Sequence, residues 1–354
     1  MRGIEAVLTI DLGAIVANWR ALGARHPGGA VAGVVKADAY GLGAAPVGRA
    51  LLAAGCRHFF VAQLAEGMAL RAALGPAPMV AVLNGFPPGA DGDAGLVPVL
   101  NGLPDVAAHA AAGRRPVMLH VDAGMARLGL DTGELDRLSA DPALLAGLDL
   151  RFVMTHLACA DDPAHPLNAA QVARFRAARA RLPPAPCSIA NSSGIFLGAD
   201  FASDLARPGC ALYGINPTPG APNPMRQVVS LAAPVLHTRH VAAGESVGYG
   251  AAWVARRPSR IATVAAGYAD GYLRSLSGRA TGHFAGVAVP LVGRVSMDLI
   301  TFDVTDAPDL RPGDRIGLIG HGTTPDNLAA AAGTIGYEIL TALGARYRRD
   351  YLPA

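Results

Sequence analysis

The residues up to Tyr213 repeat one pattern, in which a short apolar run is followed by a longer stretch rich in alanine and leucine. The runs have the length of β-strands, and stretches such as 63–74, 104–112 and 167–181 have helical periodicity. We predict eight strands, at 31–35, 58–62, 79–83, 97–100, 117–121, 150–155, 187–190 and 207–213. Strands that alternate with helices pair in parallel through right-handed crossovers. The class is therefore α/β, and eight units in roughly 200 residues fit a closed (β/α)8 barrel of the TIM type. An open doubly wound sheet is the alternative, but the glycine fingerprint GxGxxG is absent after the first strand.

A proline- and glycine-rich link, NPTPGAPNP at 216–224, ends this alternation. The later sequence is rich in strand patterns, at 228–241, 260–267, 286–296, 299–304 and 315–319, with one helical pattern at 327–343. We therefore predict a barrel domain at 1–225 and a mostly β C-terminal domain at 226–354, with which the first few residues of the chain can pair.

The composition excludes several classes of protein. Hydrophobic residues make up 51% of the chain, which is enough for a sizeable core, and the net charge is only +3 with no long basic run. We therefore expect neither a nucleic-acid nor a membrane partner. Glu5 and Asp11 interrupt what would be the apolar core of a signal peptide, and the four cysteines have no metal-ligand spacing. A cytoplasmic protein without a metal site is expected.

Polar side chains follow the predicted barrel strands where each strand ends. Lys36 follows the first strand, His156 the sixth, Ser192 the seventh, and Arg207 lies at the eighth, while Arg127 lies in the loop after the fifth. Reactive groups of such barrels lie at the carboxyl ends of the strands. These five side chains are therefore expected to converge on one rim.

Lys36 ends the apolar run of the stretch VVKADAYGLG, 34–43. The walls of a barrel mouth can partly desolvate its amine and lower the lysine pKa from about 10.4 towards neutrality. A neutral amine can attack a carbonyl and form a Schiff base. The alternative on this stretch alone is a lysine that extends into solvent.

The same stretch resembles the lysine motif of the pyridoxal-phosphate (PLP) dependent alanine racemases. Seven further segments resemble motifs of that family in its order: HVDAGMARLGL (120–130), MTHLACADD (154–162), ANSSG (190–194), RPGCALYG (207–214), VGYGAAW (247–253), GYADGYLR (267–274) and VGRVSMD (292–298). The resemblance covers nearly the whole chain. It implies a barrel followed by a β domain, a head-to-tail homodimer, and PLP held by Lys36.

The resemblance also assigns roles in cofactor binding. It places the phosphate against the hydroxyls of Ser192, Tyr40 and Tyr351 and the backbone amides of Gly209 and Cys210. It places Arg207 against the pyridine nitrogen. Because arginine cannot accept a proton, that nitrogen stays unprotonated, and return of the proton to the amino acid is favoured over transamination.

Racemisation requires a proton donor or acceptor on each face of the amino acid. The resemblance assigns one face to Lys36 and the other to Tyr249 of a partner subunit, with His156 bridging Tyr249 and Arg207. It assigns the substrate carboxylate to Arg127 and to the amide of Met297, and the substrate entrance to Tyr268.

Two positions depart from the family pattern. His120 stands where many members carry a carbamylated lysine that orients the loop arginine, so either another acceptor orients Arg127 or the arginine is held less firmly. Ser296 stands where the family commonly has cysteine. The predicted function is interconversion of L- and D-alanine for peptidoglycan. The alternatives are a broader or serine-preferring racemase, a decarboxylase of the same architecture and a PLP carrier without enzymatic activity.

Overall fold

The computed structural model describes residues 5–92 and 94–354, which divide into two compact units. One unit runs from Ile15 to Arg226, and the other joins the described residues up to Ala14 to Gln227–Ala354. Among the described residues, no helix is long and apolar enough to cross a bilayer.

The unit Ile15–Arg226 is built on a curved parallel sheet. Its seven strands pair in chain order: Gly33–Val34, His58–Val61, Met79–Val82, Val97–Leu100, Pro116–His120, Asp149–Met154 and Cys187–Ser188. Most residues of these strands are buried, as expected for a parallel sheet covered on both faces, and Asp149–Met154 is the most exposed of the seven strands.

An eighth strand, Leu205–Ala206, closes the sheet into a barrel. It pairs in parallel with Ala30–Val31, which directly precedes the first strand of the sheet. On its other side the amide of Arg207 donates to the carbonyl of Ala190 at 2.8 Å, so the last strand also meets the seventh. The predicted (β/α)8 fold is confirmed.

The position predicted for the eighth strand, 207–213, is wrong. The strand lies two residues earlier, and Cys210–Tyr213 form a 3-10 helix instead. The four side chains of this helix are fully buried. The apolar run that resembled a strand is therefore a turn whose side chains pack in the core. A short apolar run does not distinguish these two structures by its periodicity.

Helices cover the outside of the barrel. They are Leu12–Arg25, Ala44–Ala53, Leu64–Leu74, Leu103–Ala111, Thr132–Ala140, Pro142–Ala146 and Leu167–Arg179, with 3-10 turns at Gly194–Phe196 and Ala199–Phe201. The segment assigned as Lys36–Gly41 is not a normal helix, because its residues from Ala37 on have positive φ.

The other unit is mostly β, as predicted. One sheet contains, in spatial order, Val287–Pro290, Thr281–Phe284, Arg315–Ile319, Val229–Val241, Val7–Asp11 and Arg348–Leu352, with Ser259–Val264 and Ile300–Asp303 continuing from Val229–Val241. Ser246–Val247 and Trp253–Val254 form a separate hairpin. Short 3-10 turns lie at Tyr249–Ala251, Tyr268–Asp270 and Arg274–Leu276. The single helix predicted at 327–343 is two, Pro325–Ala332 and Gly336–Ala342, because Gly333 adopts a left-handed φ of 75° between them.

Candidate active site

Basic side chains gather at the carboxyl ends of the barrel strands. Lys36, Arg127, His156 and Arg207 come from four different strand ends, yet they lie close enough to shift one another's pKa values. Burial is the largest cause of the lowered pKa of Lys36, and the positive charges of Arg127 and Arg207 lower it further. The Lys36 amine therefore loses its proton at a lower pH than the amine of a free lysine does.

Arg207 is almost completely buried, with 4% of its surface exposed. Its guanidinium donates to the Ser188 hydroxyl and to the Thr155 carbonyl, each at 2.5 Å. No carboxylate pairs with it among the residues that the structure describes. Burial lowers the pKa of Arg207 to about 10, so it stays cationic at neutral pH. Ser188 and Thr155 were not predicted, and no signal in the sequence singles them out.

His156 is held neutral at this rim. Burial, and then the charges of Arg207, Arg127 and Lys36, lower the pKa of His156 to about 3. Its backbone carbonyl accepts from the Gln171 side chain at 3.0 Å, which fixes the strand end.

His120 also stays neutral, and Asn101 fixes its tautomer. The Asn101 amide nitrogen donates to the carbonyls of Leu83 and Val99 at 2.9 and 3.1 Å, so its side-chain oxygen faces His120 Nδ1 at 2.8 Å. Nδ1 therefore carries the proton, and Nε2 offers a lone pair. Burial and Arg207 lower the pKa of His120 to about 4. A charged histidine that repels Arg127 is therefore not the state of this site at neutral pH.

The loop that carries Arg127 is held at both its ends and its tip. The Leu130 amide donates to the His120 carbonyl at 2.8 Å, which closes the neck of the loop. The Asp122 carboxylate accepts the amides of Gly124 and Met125 at 2.8 Å and of Ala126 at 3.0 Å. Arg127 itself is exposed, and none of the described residues forms a hydrogen bond or ion pair with it. Its guanidinium is thus available to an anionic ligand. Asp122 was missed, although an Asp two residues before a glycine is a turn signal.

Ser192, Gly209 and Tyr40 lie together. The Ser192 hydroxyl accepts the amides of Gly209 at 3.0 Å and Ala211 at 3.3 Å. A Cβ on Gly209 would lie 2.2 Å from the Tyr40 hydroxyl, so only glycine allows this approach. The Tyr40 ring packs on Tyr213 with centroids 4.8 Å apart. Hydroxyls and turn amides therefore line one small region, with Cys210 opening the next turn.

The remaining predicted site residues belong to the other unit. Tyr249 is 71% exposed, and Tyr268, Met297 and Tyr351 are exposed as well. The loops of Tyr268 and Met297 are joined to each other, since the amides of Tyr268 and Ala269 donate to the carbonyls of Ser296 and Met297 at 3.0 Å. The Arg346 guanidinium pairs with Asp270 at 3.0 Å and with Asp298 at 2.8 Å and so clamps both loops. Arg346 was not predicted.

The sequence matches two family models along most of its length. Residues 10–217 match the alanine racemase N-terminal domain, and residues 228–351 match the alanine racemase C-terminal domain. The chain belongs to the alanine racemase family. The matched ranges together contain every side chain of the candidate site.

Known alanine racemases resemble the chain over its full length. The alanine racemase of Acidiphilium cryptum is 60% identical over 97% of both chains. The catabolic alanine racemase of Mesorhizobium japonicum is 51% identical over 98% of this chain and 93% of its own. The crystal structure of alanine racemase from Bartonella henselae, with covalently bound pyridoxal phosphate, is 42% identical and has a TM-score of 0.94, covering 99% of this chain and all of that one. Both the barrel unit and the mostly β unit are therefore parts of the alanine racemase fold.

Alanine racemases of more distant bacteria keep the same fold. The structure of the enzyme from Bacillus anthracis with bound L-Ala-P is 28% identical with a TM-score of 0.88, over 99% of this chain and 95% of that one.

Proposed function

We propose that this chain is a PLP-dependent alanine racemase, an isomerase that interconverts L-alanine and D-alanine. One observation carries the assignment of chemistry: a lysine with a lowered pKa and a buried arginine without a carboxylate meet at one barrel rim. The family and the named relatives supply the substrate.

The residues of the barrel fit the cofactor. Lys36 provides an amine whose pKa burial lowers, and Gly209 brings its backbone close to the Tyr40 hydroxyl, where a Cβ would lie 2.2 Å from that oxygen. Ser192, Tyr40, Gly209 and Cys210, with Tyr351 of the other unit, would hold the phosphate, for which the Gly209 amide would exchange its hydrogen bond to the Ser192 hydroxyl. When bound, PLP supplies the electron sink that makes the α-proton of an amino acid acidic.

Arg207 would face the ring nitrogen of the cofactor. Its guanidinium has only donors to offer and stays charged, so it leaves that nitrogen without a proton. Its anchors at Ser188 and Thr155 keep it in place. This arrangement favours return of the proton to Cα. A decarboxylase of the same architecture, with a carboxylate at the ring nitrogen, is therefore the weaker alternative.

Two groups would move protons at Cα. The Lys36 amine serves one face, and the Tyr249 hydroxyl of a second copy of the chain serves the other, with neutral His156 able to take part in the hydrogen bonding of Tyr249 and Arg207. The exposure of Tyr249 supports a role in which it reaches a partner's site. We accordingly propose a homodimer with shared active sites.

Arg127 would bind the substrate carboxylate. Its guanidinium is exposed on a loop that Asp122 holds, and a charge-assisted, bidentate contact is the strongest that it can make. The Met297 amide would assist, and Tyr268 would narrow the entrance so that small substrates such as alanine are preferred. The chain lacks the lysine that many family members modify to orient this arginine. His120 stands in that position, and the lone pair of its Nε2 is a hydrogen-bond acceptor.

The two units would divide the work between them, the barrel unit binding PLP and the second unit contributing Tyr249, Tyr268 and Met297. In the cell we propose a cytoplasmic enzyme that supplies D-alanine for peptidoglycan. The name of the Mesorhizobium japonicum relative favours a second role, breakdown of alanine. A broader or serine-preferring racemase stays the alternative for substrate range.

Chiral analysis of the products formed from a panel of L-amino acids tests the proposal. The purified protein should convert L-alanine to a racemic mixture and absorb near ~420 nm, and Lys36→Ala should lose both properties. An absorption band that persists in Lys36→Ala would refute the role of Lys36. A product other than D-alanine would refute the reaction.

A further inference from the structure

The residues after Lys36 wind in the left-handed sense. Ala37, Asp38, Ala39 and Tyr40 have φ values of 51°, 53°, 54° and 56°, and Gly41 follows at 81°. This region is unfavourable for every residue with a Cβ and is rarely occupied by several in a row. The surrounding structure must therefore hold the turn in place.

Glu66 supplies the contact that holds the start of this turn. Its Oε1 accepts the amide of Ala37 at 2.7 Å, while Oε2 accepts the amides of Ala62 and Gln63 at 2.8 and 3.0 Å. One carboxylate thus joins the turn to the helix Leu64–Leu74 and to the second barrel strand, which ends at Val61. At its other end the turn closes locally, since Asp38 accepts the amides of Gly43 and Ala44 through its carbonyl and carboxylate.

Glu66 also sets the charge around Lys36. The groups that shift the pKa of Lys36 are Arg127 from the fifth loop, Arg207 from the eighth strand end and Glu66. His156, from the sixth strand end, is neutral at this rim. Among these described groups Glu66 is the anion, and it raises the pKa of Lys36 while burial and the two arginines lower it.

We propose that Glu66 is a positioning residue of this active site, whose carboxylate holds the left-handed turn at Ala37 and thereby fixes where the Lys36 amine lies. This inference rests on the proposed role of Lys36 as the residue that binds PLP. Glu66 acts through the backbone of Ala37 and through its charge, and it need not touch substrate.

Glu66→Gln is a sharp test because both carboxylate oxygens accept. Glutamine offers one acceptor and one NH₂ donor, so either the Ala37 amide or the Ala62 and Gln63 amides must face a donor. Glu134→Gln is the matched control. Glu134 occupies the same position in its helix, and it likewise accepts a neighbour's amide, that of Leu103 at 2.9 Å.

Three measurements follow on the apoprotein and on its reconstitution with PLP. In Glu66→Gln, hydrogen exchange of the peptide 36–44 should become about tenfold faster, and the dissociation constant for PLP should rise about tenfold. The pH midpoint for reaction of Lys36 with trinitrobenzenesulfonate, followed by mass spectrometry, should fall because the anion is gone. Glu134→Gln should match the wild-type protein in all three.

A second variant, Glu66→Asp, guards against loss of folding. It keeps the charge but is one methylene shorter, so the hydrogen bond to the Ala37 amide should be lost and exchange at 36–44 should rise, while the pH midpoint should fall less than in Glu66→Gln. Wild-type exchange and PLP affinity in both Glu66 variants would overturn the inference. Failure of the wild-type protein itself to bind PLP at Lys36 would instead overturn the proposed function, and exchange would still decide the role of Glu66.

Discussion

At the scale of single residues, the basic groups of the barrel rim differ in their charge. Arg207 stays cationic because a pKa of about 10 still lies far above neutral pH. His120 and His156 are neutral, since burial and the neighbouring arginines lower their pKa values to about 4 and about 3. At neutral pH the two histidines therefore add no positive charge to the site, and the arginines supply a charge that suits a phosphate and a carboxylate without depending on small changes of pH.

The lowered pKa of His120 predicts a loss of stability in mild acid. The unfolded chain binds a proton at this ring near pH 6.5, whereas the folded chain binds it near pH 4. The unfolded state therefore holds more protons within this window, and the free energy of unfolding falls as the pH drops, by up to about 3 kcal/mol for this group. Urea unfolding of the wild-type protein and of His120→Gln, at several pH values between about 7 and 5, measures this fall in the free energy of unfolding.

His120→Gln should reduce the pH dependence of the free energy of unfolding, and the part that remains includes the contribution of His156, whose pKa is also lowered. His321→Gln provides the control, because it removes a histidine that is exposed and not one at the barrel rim. A slope in His120→Gln as steep as that of the wild-type protein would contradict the assignment.

At the scale of elements, loops and turns are held by carboxylates that accept several backbone amides at once. Asp122 organises the loop of Arg127, and Glu66 joins the turn after Lys36 to a neighbouring helix. Each such carboxylate fixes a backbone position, and this in turn fixes the position of the functional side chain nearby. The positions of the functional side chains thus depend on residues that take no direct part in the reaction.

Removal of the Asp122 carboxylate should loosen the loop of Arg127. Asp122→Ala leaves three amides without their acceptor, so the KM for alanine should rise about tenfold with a smaller change in kcat. Asp122→Asn keeps one acceptor oxygen, so its KM for alanine should lie between those of the wild-type protein and Asp122→Ala. Steady-state kinetics in both directions measure the effect, and an unchanged KM in Asp122→Ala would show that the loop needs no such support.

Two glycines should respond oppositely to substitution by alanine. Gly333 has a φ of 75° where the chain turns between two helices, so Gly333→Ala should destabilise the protein by about 1 kcal/mol. Gly23 lies within the helix Leu12–Arg25, and an added Cβ there meets no atom within 4 Å. Gly23→Ala should therefore stabilise by roughly 0.5–1 kcal/mol. Urea midpoints of the two variants compare them, and shifts of the same sign would contradict the backbone argument.

At the scale of the whole molecule, the proposed site residues are divided between the two units of the chain. The barrel unit carries Lys36, Arg127 and Arg207, whereas Tyr249 lies exposed in the second unit. If Tyr249 completes the site of a second copy, two different inactive variants should complement each other.

A mixing experiment tests this sharing of sites. Lys36→Ala and Tyr249→Phe, each nearly inactive alone, are unfolded together, refolded and assayed. A mixed dimer then has one site with both residues intact, so random pairing should restore about one quarter of wild-type activity. Refolding each variant separately is the control. No recovery in the mixture would mean that both residues serve the same copy, or that no dimer forms.

Much of the architecture could be predicted because local signals and global fold agree. The alternation of apolar runs and helical stretches gave the parallel barrel, and the strand ends gave the rim on which Lys36, His156 and Arg207 meet. Strand and helix limits were less well defined. The run Cys210–Tyr213 was assigned to a strand although it packs as a turn, and Gly333 divided a helix that was predicted to be continuous.

The sequence by itself determined the fold class, the order of the elements and the reactive residue types, since periodicity and motif spacing are local properties of the chain. Only the tertiary structure decided that His120 is neutral and bound to Asn101, that Arg207 is anchored by Ser188 and Thr155, and that Glu66 meets Ala37. These features depend on burial and on contacts between residues that are distant along the chain. The left-handed turn after Lys36 belongs with them, because its residues would not adopt that conformation without the contacts that hold it.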